Sequence, residues 1–170
     1  VNSMIQCLNK LGIRYDSETV YGGDLVEPSS ALDVGNSGTT LRFLIAQSAT
    51  CEFKVLLDGD DSIRSRSSRS LCDSLSLLGD KAPLYSGSTA IRQNLEIDVS
   101  DSSQFLSALL LATPRMNGPR NISKIGSAVS RRHSDLTWRL CQETGAIQQG
   151  HPWAVKCPSE VLIPADASMM

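Results

Sequence analysis

The sequence holds no Cys-x-x-Cys pair. Its five cysteines, Cys7, Cys51, Cys72, Cys141 and Cys157, are scattered and odd in number, which argues against a zinc site or a disulfide framework. Cys7, Cys72 and Cys141 fall on predicted helices and read as small core residues, which suits a reducing cytoplasm. No apolar run reaches the length of a membrane span and no signal peptide is visible, so the expectation is a cytoplasmic chain with no membrane partner. Positive charge is not in excess: Lys and Arg total 16 against 18 Asp and Glu, for a net charge of -2. A global basic field is therefore excluded, and with it the expectation of a nucleic-acid partner. Any anion must be held by a local cluster. The spacings that hold metals are missing, so neither metal nor cofactor is expected. A P-loop is excluded because no glycine-rich turn ends in Gly-Lys-Ser/Thr.

What is present is ordinary globular composition, 41% hydrophobic and 20% charged over 170 residues. That length can bury one respectable core or two small ones. The chain is organised around Gly35-Asn36-Ser37-Gly38-Thr39-Thr40-Leu41-Arg42. Leu41, Leu44, Ile45 and Ser48 recur at helical spacing, so this turn runs into a helix from Gly38 to Ala49. The first turn of such a helix leaves backbone N–H groups unpaired, and its dipole favours an anion in front of them. Asn36, Thr39 and Arg42 add side-chain donors. The plainer reading is a well-capped helix with an incidental arginine.

The rest of the chain repeats this plan. Apolar helical stripes ending in Gly12, Gly79 and Gly145 lie 67 and 66 positions apart, and each is followed by a strand candidate. Gly38–Ala46 has a counterpart in Gln104–Ala112, and the strand ending at Gly59 has one ending at Gly126. A fixed period of this kind marks a repeated supersecondary unit. The predicted order is a strand near 30–34, a helix over 38–49, a strand over 53–58, a helix over 67–78 and a strand near 82–85. It continues with a strand over 95–99, a helix over 102–113, a strand over 121–125, a helix over 133–144 and strands at 146–149 and 153–156. Alternation of strands and helices argues an α/β fold. The first unit is incomplete, with its opening strand and helix expected before Val1, and both ends read as cuts through a larger protein. The helices carrying Leu44, Leu75, Leu109 and Leu140 are expected to turn their apolar stripes inward.

Three further stretches could carry chemistry. Asp101 followed three residues later by Gln104 has the spacing of a capping box, and Ser102 and Ser103 could offer hydroxyls to a phosphate. Arg64, Arg66 and Arg69 crowd one span with Ser62, Ser65, Ser67 and Ser68, where cations at a helix start call for an anion. Ser130, Arg131, Arg132 and His133 repeat that arrangement. His133 could donate to an anion or act as a general acid, although a lone histidine is more often neither. No nucleophile–base pair is evident, so anion binding is better supported than complete catalysis.

Leu32–Arg42, Gly59-Asp60-Asp61-Ser62 with Arg66, and Ser102–Leu110 resemble the EPSP synthase (3-phosphoshikimate 1-carboxyvinyltransferase) family in order and spacing. Ser102-Ser103-Gln104 separates the chain from the related UDP-N-acetylglucosamine enolpyruvyl transferases, the second choice. Ser130–Asp135 stands where many members carry Ser-Lys-Pro-Tyr. The resemblance implies a domain of βαβαββ units around a pseudo-threefold axis, the first unit incomplete. Residues 1–163 would be most of the first of two domains, and 164–170, with Asp166, the start of the crossover to a second. It implies transfer of an enolpyruvyl group from phosphoenolpyruvate to the 5-hydroxyl of shikimate 3-phosphate, with phosphate released. By position it assigns Ser102, Ser103, Gln104 and Ser130 to shikimate 3-phosphate, and Asn36, Gly38, Arg66 and Gln104 to phosphoenolpyruvate. Thr39, Arg42, Arg132 and His133 are further candidates. The catalytic carboxylate and the Lys-Ser…Arg segment of the family lie outside these 170 residues, so the chain alone is expected to be inactive. A domain that binds anions without chemistry is the reading from a different class. If the repeat builds one domain, Asn36, Arg66, Ser102 and Ser130 should converge on one polar, exposed face.

Overall fold

The computed structural model describes residues 1–17, 19–127, 131–145 and 156, with backbone only for Arg131 and Arg132. The element order is α1 (Asn2–Lys10), β1 (Leu32–Asp33), α2 (Gly38–Ala49), β2 (Val55–Asp58), α3 (Asp61–Ser65) and α4 (Arg69–Ser74). Then follow β3 (Leu84–Ser86), β4 (Asn94–Asp98), α5 (Ser103–Ala112), a 3-10 turn over Thr113–Arg115, β5 (Asn121–Ile125) and α6 (Arg131–Glu143). The fold is α/β. The strands expected at 146–149 and 153–156 and the crossover at 164–170 lie outside the described residues, Lys156 apart.

Two strand–helix–strand crossings share one plan. β1 pairs with β2 in parallel, Leu32 opposite Leu57, and α2 connects them. β4 pairs with β5 in parallel, Leu95 opposite Ile122, and α5 connects them. β3 closes the first sheet antiparallel to β2. The glycine after each second strand passes close to the end of its parallel neighbour. A Cβ on Gly59 would come within 2.6 Å of the Gly35 carbonyl oxygen, and one on Gly126 would collide with the side chains of Asp98 and Ser100. Only glycine fits such an approach. Both glycines thus follow the second strand of their crossing, although Gly126 takes a φ of 75° and Gly59 has no positive φ.

α2 and α5 pack against each other, and α5 against α6. The anticipated stripes are buried: Leu41, Leu44, Ile45 and Ser48 on α2, and Phe105, Ala108, Leu109 and Ala112 on α5. Their apolar members join one core with Leu32, Val55, Leu57, Leu75, Leu95 and Ile97. Burial pushes the Cys7, Cys51, Cys72 and Cys141 thiols up in pKa, that of Cys72 to about 12. These four cysteines are free and packed as small core residues.

Three expectations are corrected. Leu140 is 37% exposed on α6, where Cys141 and Ser134 turn inward instead. The helix expected over 67–78 ends at Ser74, and Leu78 is exposed. Its stop is built at Ser76, which takes a left-handed φ of 58° while Leu77 N–H donates to Cys72 O and Ser76 N–H to Asp73 O. That is the double-bonded helix stop for which glycine is the usual residue, and it falls three positions before Gly79. Gly12 and Gly145, both at positive φ, end α1 and α6 as expected. Third, the crossing after Gly59 contains an extra helix, α3, whose N-cap Asp60 accepts from the Ile63 N–H.

Candidate anion site at two helix N-termini

The α2 start is capped as its sequence suggests. Ser37 accepts from the Thr40 N–H and shares a 2.8 Å hydrogen bond with the Thr40 hydroxyl. This leaves Asn36, Gly38, Thr39 and Arg42 around the helix mouth. At α5 the cap is Ser102, whose Oγ accepts from the Gln104 N–H at 3.2 Å. The capping box expected from Asp101 is not the arrangement present: Ser102 occupies the cap position, and the Gln104 side chain reaches across to α2.

Arg42 joins the two mouths. Its Nη1 donates to Gln104 Oε1 at 2.5 Å and to Ser102 Oγ at 3.3 Å. Gln104 Nε2 donates to Thr39 Oγ1 at 2.9 Å. The Arg42 guanidinium lies 5.1 Å from the centre of the Phe105 ring, a cation–π contact that helps hold it. Its Nε is buried without a hydrogen-bond partner among the described residues.

Arg66 comes in from the other side. It stands at the C-cap of α3 in extended backbone, not at the start of a helix. Its Nη2 donates to Ser62 Oγ at 3.0 Å and to Asn36 Oδ1 at 3.4 Å. A Cβ on Gly38 would lie 3.3 Å from Arg66 Nη1 and 3.6 Å from Arg42 Nη1, so both guanidinium groups come close to this turn. Burial first, and the charge of Arg66 second, push the Arg42 pKa down. A half-buried arginine beside a second arginine is a local excess of positive charge.

The other two arginines of the crossing are neutralised. Arg64 pairs with Asp58 at 2.8 Å and with Asp61 at 3.6 Å, and Arg69 with Asp80 at 3.3 Å. Ser67 also donates to Asp80, at 2.6 Å. The start of α4 therefore does not call for an anion, and of the three arginines Arg66 is the one that forms no ion pair among the described residues.

Asn36, Gly38, Thr39, Arg42, Arg66, Ser102 and Gln104 are thus brought together, across up to 68 positions of sequence. Ser103 is buried and turned to the α6 side, where it lines a cleft of about 450 Å³ with Lys124, Ser127, Ser134 and Asp135. His133 lies exposed in the first turn of α6, its carbonyl accepting from Thr137. Ser130 and the side chain of Arg132 lie outside the described residues. Among the described residues no group of three or more His, Cys, Asp or Glu could hold a metal ion, and no helix is long and apolar enough to cross a membrane. Ser62 joins the site without having been expected there. Its signal in the sequence is the four-residue spacing to Arg66, which puts the two on one side of a helical turn.

A protein-family model described as EPSP synthase (3-phosphoshikimate 1-carboxyvinyltransferase) matches residues 1–168. The chain belongs to the EPSP synthase family. It is 39% identical over 145 residues to the 3-phosphoshikimate 1-carboxyvinyltransferase of Methanothrix thermoacetophila, covering 79% of this chain and 34% of that protein. It is 32% identical over 193 residues to the one from Idiomarina loihiensis, covering 97% of this chain and 45% of that protein. The chain spans less than half the length of these curated relatives. The structure of EPSP synthase from Acinetobacter baumannii shares the fold, with a TM-score of 0.68 at 22% identity over 85% of this chain and 35% of that one.

Proposed function

We propose that this chain supplies one half of the active site of a 3-phosphoshikimate 1-carboxyvinyltransferase. The observation that carries the reading is the convergence of Arg42 and Arg66 on Gly38 without a carboxylate among the described residues. Two unneutralised cations at a helix mouth are costly unless an anion joins them. In this reading Asn36, Gly38 and Arg66 receive phosphoenolpyruvate, Gln104 lies between the substrates, and Ser102, Ser103 and Ser130 hold the phosphate of shikimate 3-phosphate. The 5-hydroxyl adds to the enolpyruvyl carbon, and phosphate then leaves. These residues place two anions side by side and stabilise the departing phosphate.

A second domain of the same polypeptide would bring the general acid and base and the remaining cations, and its closure would exclude water from the cleft. The exposed side chain of Arg66 supports a face that awaits such a cover. The free buried thiols support a reducing, cytoplasmic setting. The test is phosphate release from phosphoenolpyruvate and shikimate 3-phosphate. The full-length polypeptide is expected to release phosphate only with both substrates, and residues 1–170 alone to release none. No release by the full-length polypeptide overturns the activity. Turnover by residues 1–170 that Arg66→Ala abolishes overturns the half-site.

A further inference from the structure

The Arg42 side chain does more than add charge, because of which atoms it takes. A serine hydroxyl carries one donor and two acceptor lone pairs, and a glutamine amide presents a carbonyl at one end and two N–H donors at the other. Either group can therefore face an anion with the wrong end. Ser102 Oγ accepts the Gln104 N–H at 3.2 Å and Arg42 Nη1 at 3.3 Å. Both lone pairs are then engaged, and what the hydroxyl has left is its proton. Gln104 Oε1 accepts from the same Arg42 nitrogen at 2.5 Å. The amide is thereby fixed with its NH2 end outward, one N–H on Thr39 Oγ1 and one left over.

We infer that Arg42 is a positioning residue that occupies the acceptor atoms of Ser102 and Gln104, so that both present donors to a phosphate or carboxylate oxygen. The inference rests on the proposed reading of the site as one for anionic substrates, and it assigns Arg42 a role through its neighbours. Three features keep Arg42 in that position. The Phe105 ring lies under the guanidinium, the side chain is half-buried, and a single nitrogen reaches both acceptors. A lysine in its place keeps the charge but not the planar guanidinium that lies over the Phe105 ring.

The test is a cycle of variants in the full-length polypeptide, read as the affinity for shikimate 3-phosphate by calorimetry. Arg42→Met and Arg42→Lys are each made in the natural background and in one carrying Ser102→Ala and Gln104→Ala. In the natural background Arg42→Met is expected to weaken binding by about tenfold or more. With Ser102 and Gln104 already truncated, the same change should cost less than about threefold, because its targets are gone. Equal losses in the two backgrounds mean that Arg42 touches the substrate directly and overturn the inference while leaving the site intact. Absence of shikimate 3-phosphate binding by the unsubstituted polypeptide overturns the reading of the site and this inference together. Should Arg42→Met fail to fold, the Arg42→Lys arm decides, since a positioning role again requires its loss to shrink in the truncated background.

Discussion

The N-termini of α2 and α5 occupy equivalent places in two crossings of one plan, yet they are furnished differently. Each follows a parallel strand and carries a serine N-cap that binds a backbone N–H within its first turn. At α2 the cap hydroxyl is spent locally, on the Thr40 N–H and hydroxyl, and the mouth is lined by a glycine and approached by two arginines. α5 itself carries no cation, Lys124 of β5 lining the cleft on its Ser103 side, and its cap Ser102 and the amide of Gln104 are drawn toward Arg42. Where the two mouths meet, α2 and the turn after β2 provide charge and α5 provides neutral donors. Two crossings of one plan can thus differ at their helix mouths, because packing of α2 on α5 sets the mouths side by side while the residues at each mouth are free to differ.

The comparison can be broken at four depths. Leu109→Ala removes a fully buried side chain from the core behind both mouths. It should destabilise the fold by about 3 kcal/mol and loosen both ends together, measured by chemical denaturation. Unchanged stability would mean the two ends do not share a core. Arg66→Ala strips the cationic side only. It should lower kcat/KM of the full-length polypeptide by about a hundredfold, with the fold retained. Kinetics equal to those of the unsubstituted protein would refute its place in the site. Ser37→Ala and Ser102→Ala sharpen the contrast between the caps. Each should cost about 1 kcal/mol of stability, but only Ser102→Ala should also weaken binding of shikimate 3-phosphate. Equal effects on binding would erase the difference between the mouths.

The smallest effect concerns Asp58, at the end of β2. The hydrogen bond from Arg64 chiefly, with the Gly59 N–H, holds its carboxyl below the usual value of 3.8. A depressed folded pKa contributes stability that is present above the unfolded value and lost as pH falls through the folded one. Asp58→Asn should therefore flatten the decline in thermal midpoint as pH falls below about 5, by a small amount because the pair is partly exposed. An identical decline in both proteins would show the pair to be idle.

The fold was legible where local signals agree. The bounds of α2 and β5 follow from the Ser37 cap, the apolar period and the flanking glycines. The short α3 was not legible, since five residues rich in Asp, Ser and Arg carry no period and depend on one cap from Asp60. Nor was the stop at Ser76, where tertiary context puts a serine in a conformation that glycine usually takes. Leu140 shows the limit of a stripe: α6 is amphipathic, but the rotation that buries Cys141 and Ser134 leaves Leu136, Trp138 and Leu140 at the surface. For the site, motif positions brought Asn36, Arg66, Ser102 and Gln104 forward. The bond from Arg42 to Gln104, 62 positions apart, has no local sequence signal, because only the packing of two helices creates it. Likewise the sorting of Arg64 and Arg69 from Arg66 depends on where Asp58, Asp61 and Asp80 stand in space.

The most direct measurement is a crystal structure of the full-length polypeptide with shikimate 3-phosphate bound. The account predicts the phosphate within hydrogen-bonding distance of Ser102 and Ser103, with Gln104 beside the ring and Arg66 facing the space for the second substrate. A phosphate held elsewhere, with Ser102 and Gln104 still bonded only to Arg42 and Thr39, would contradict it.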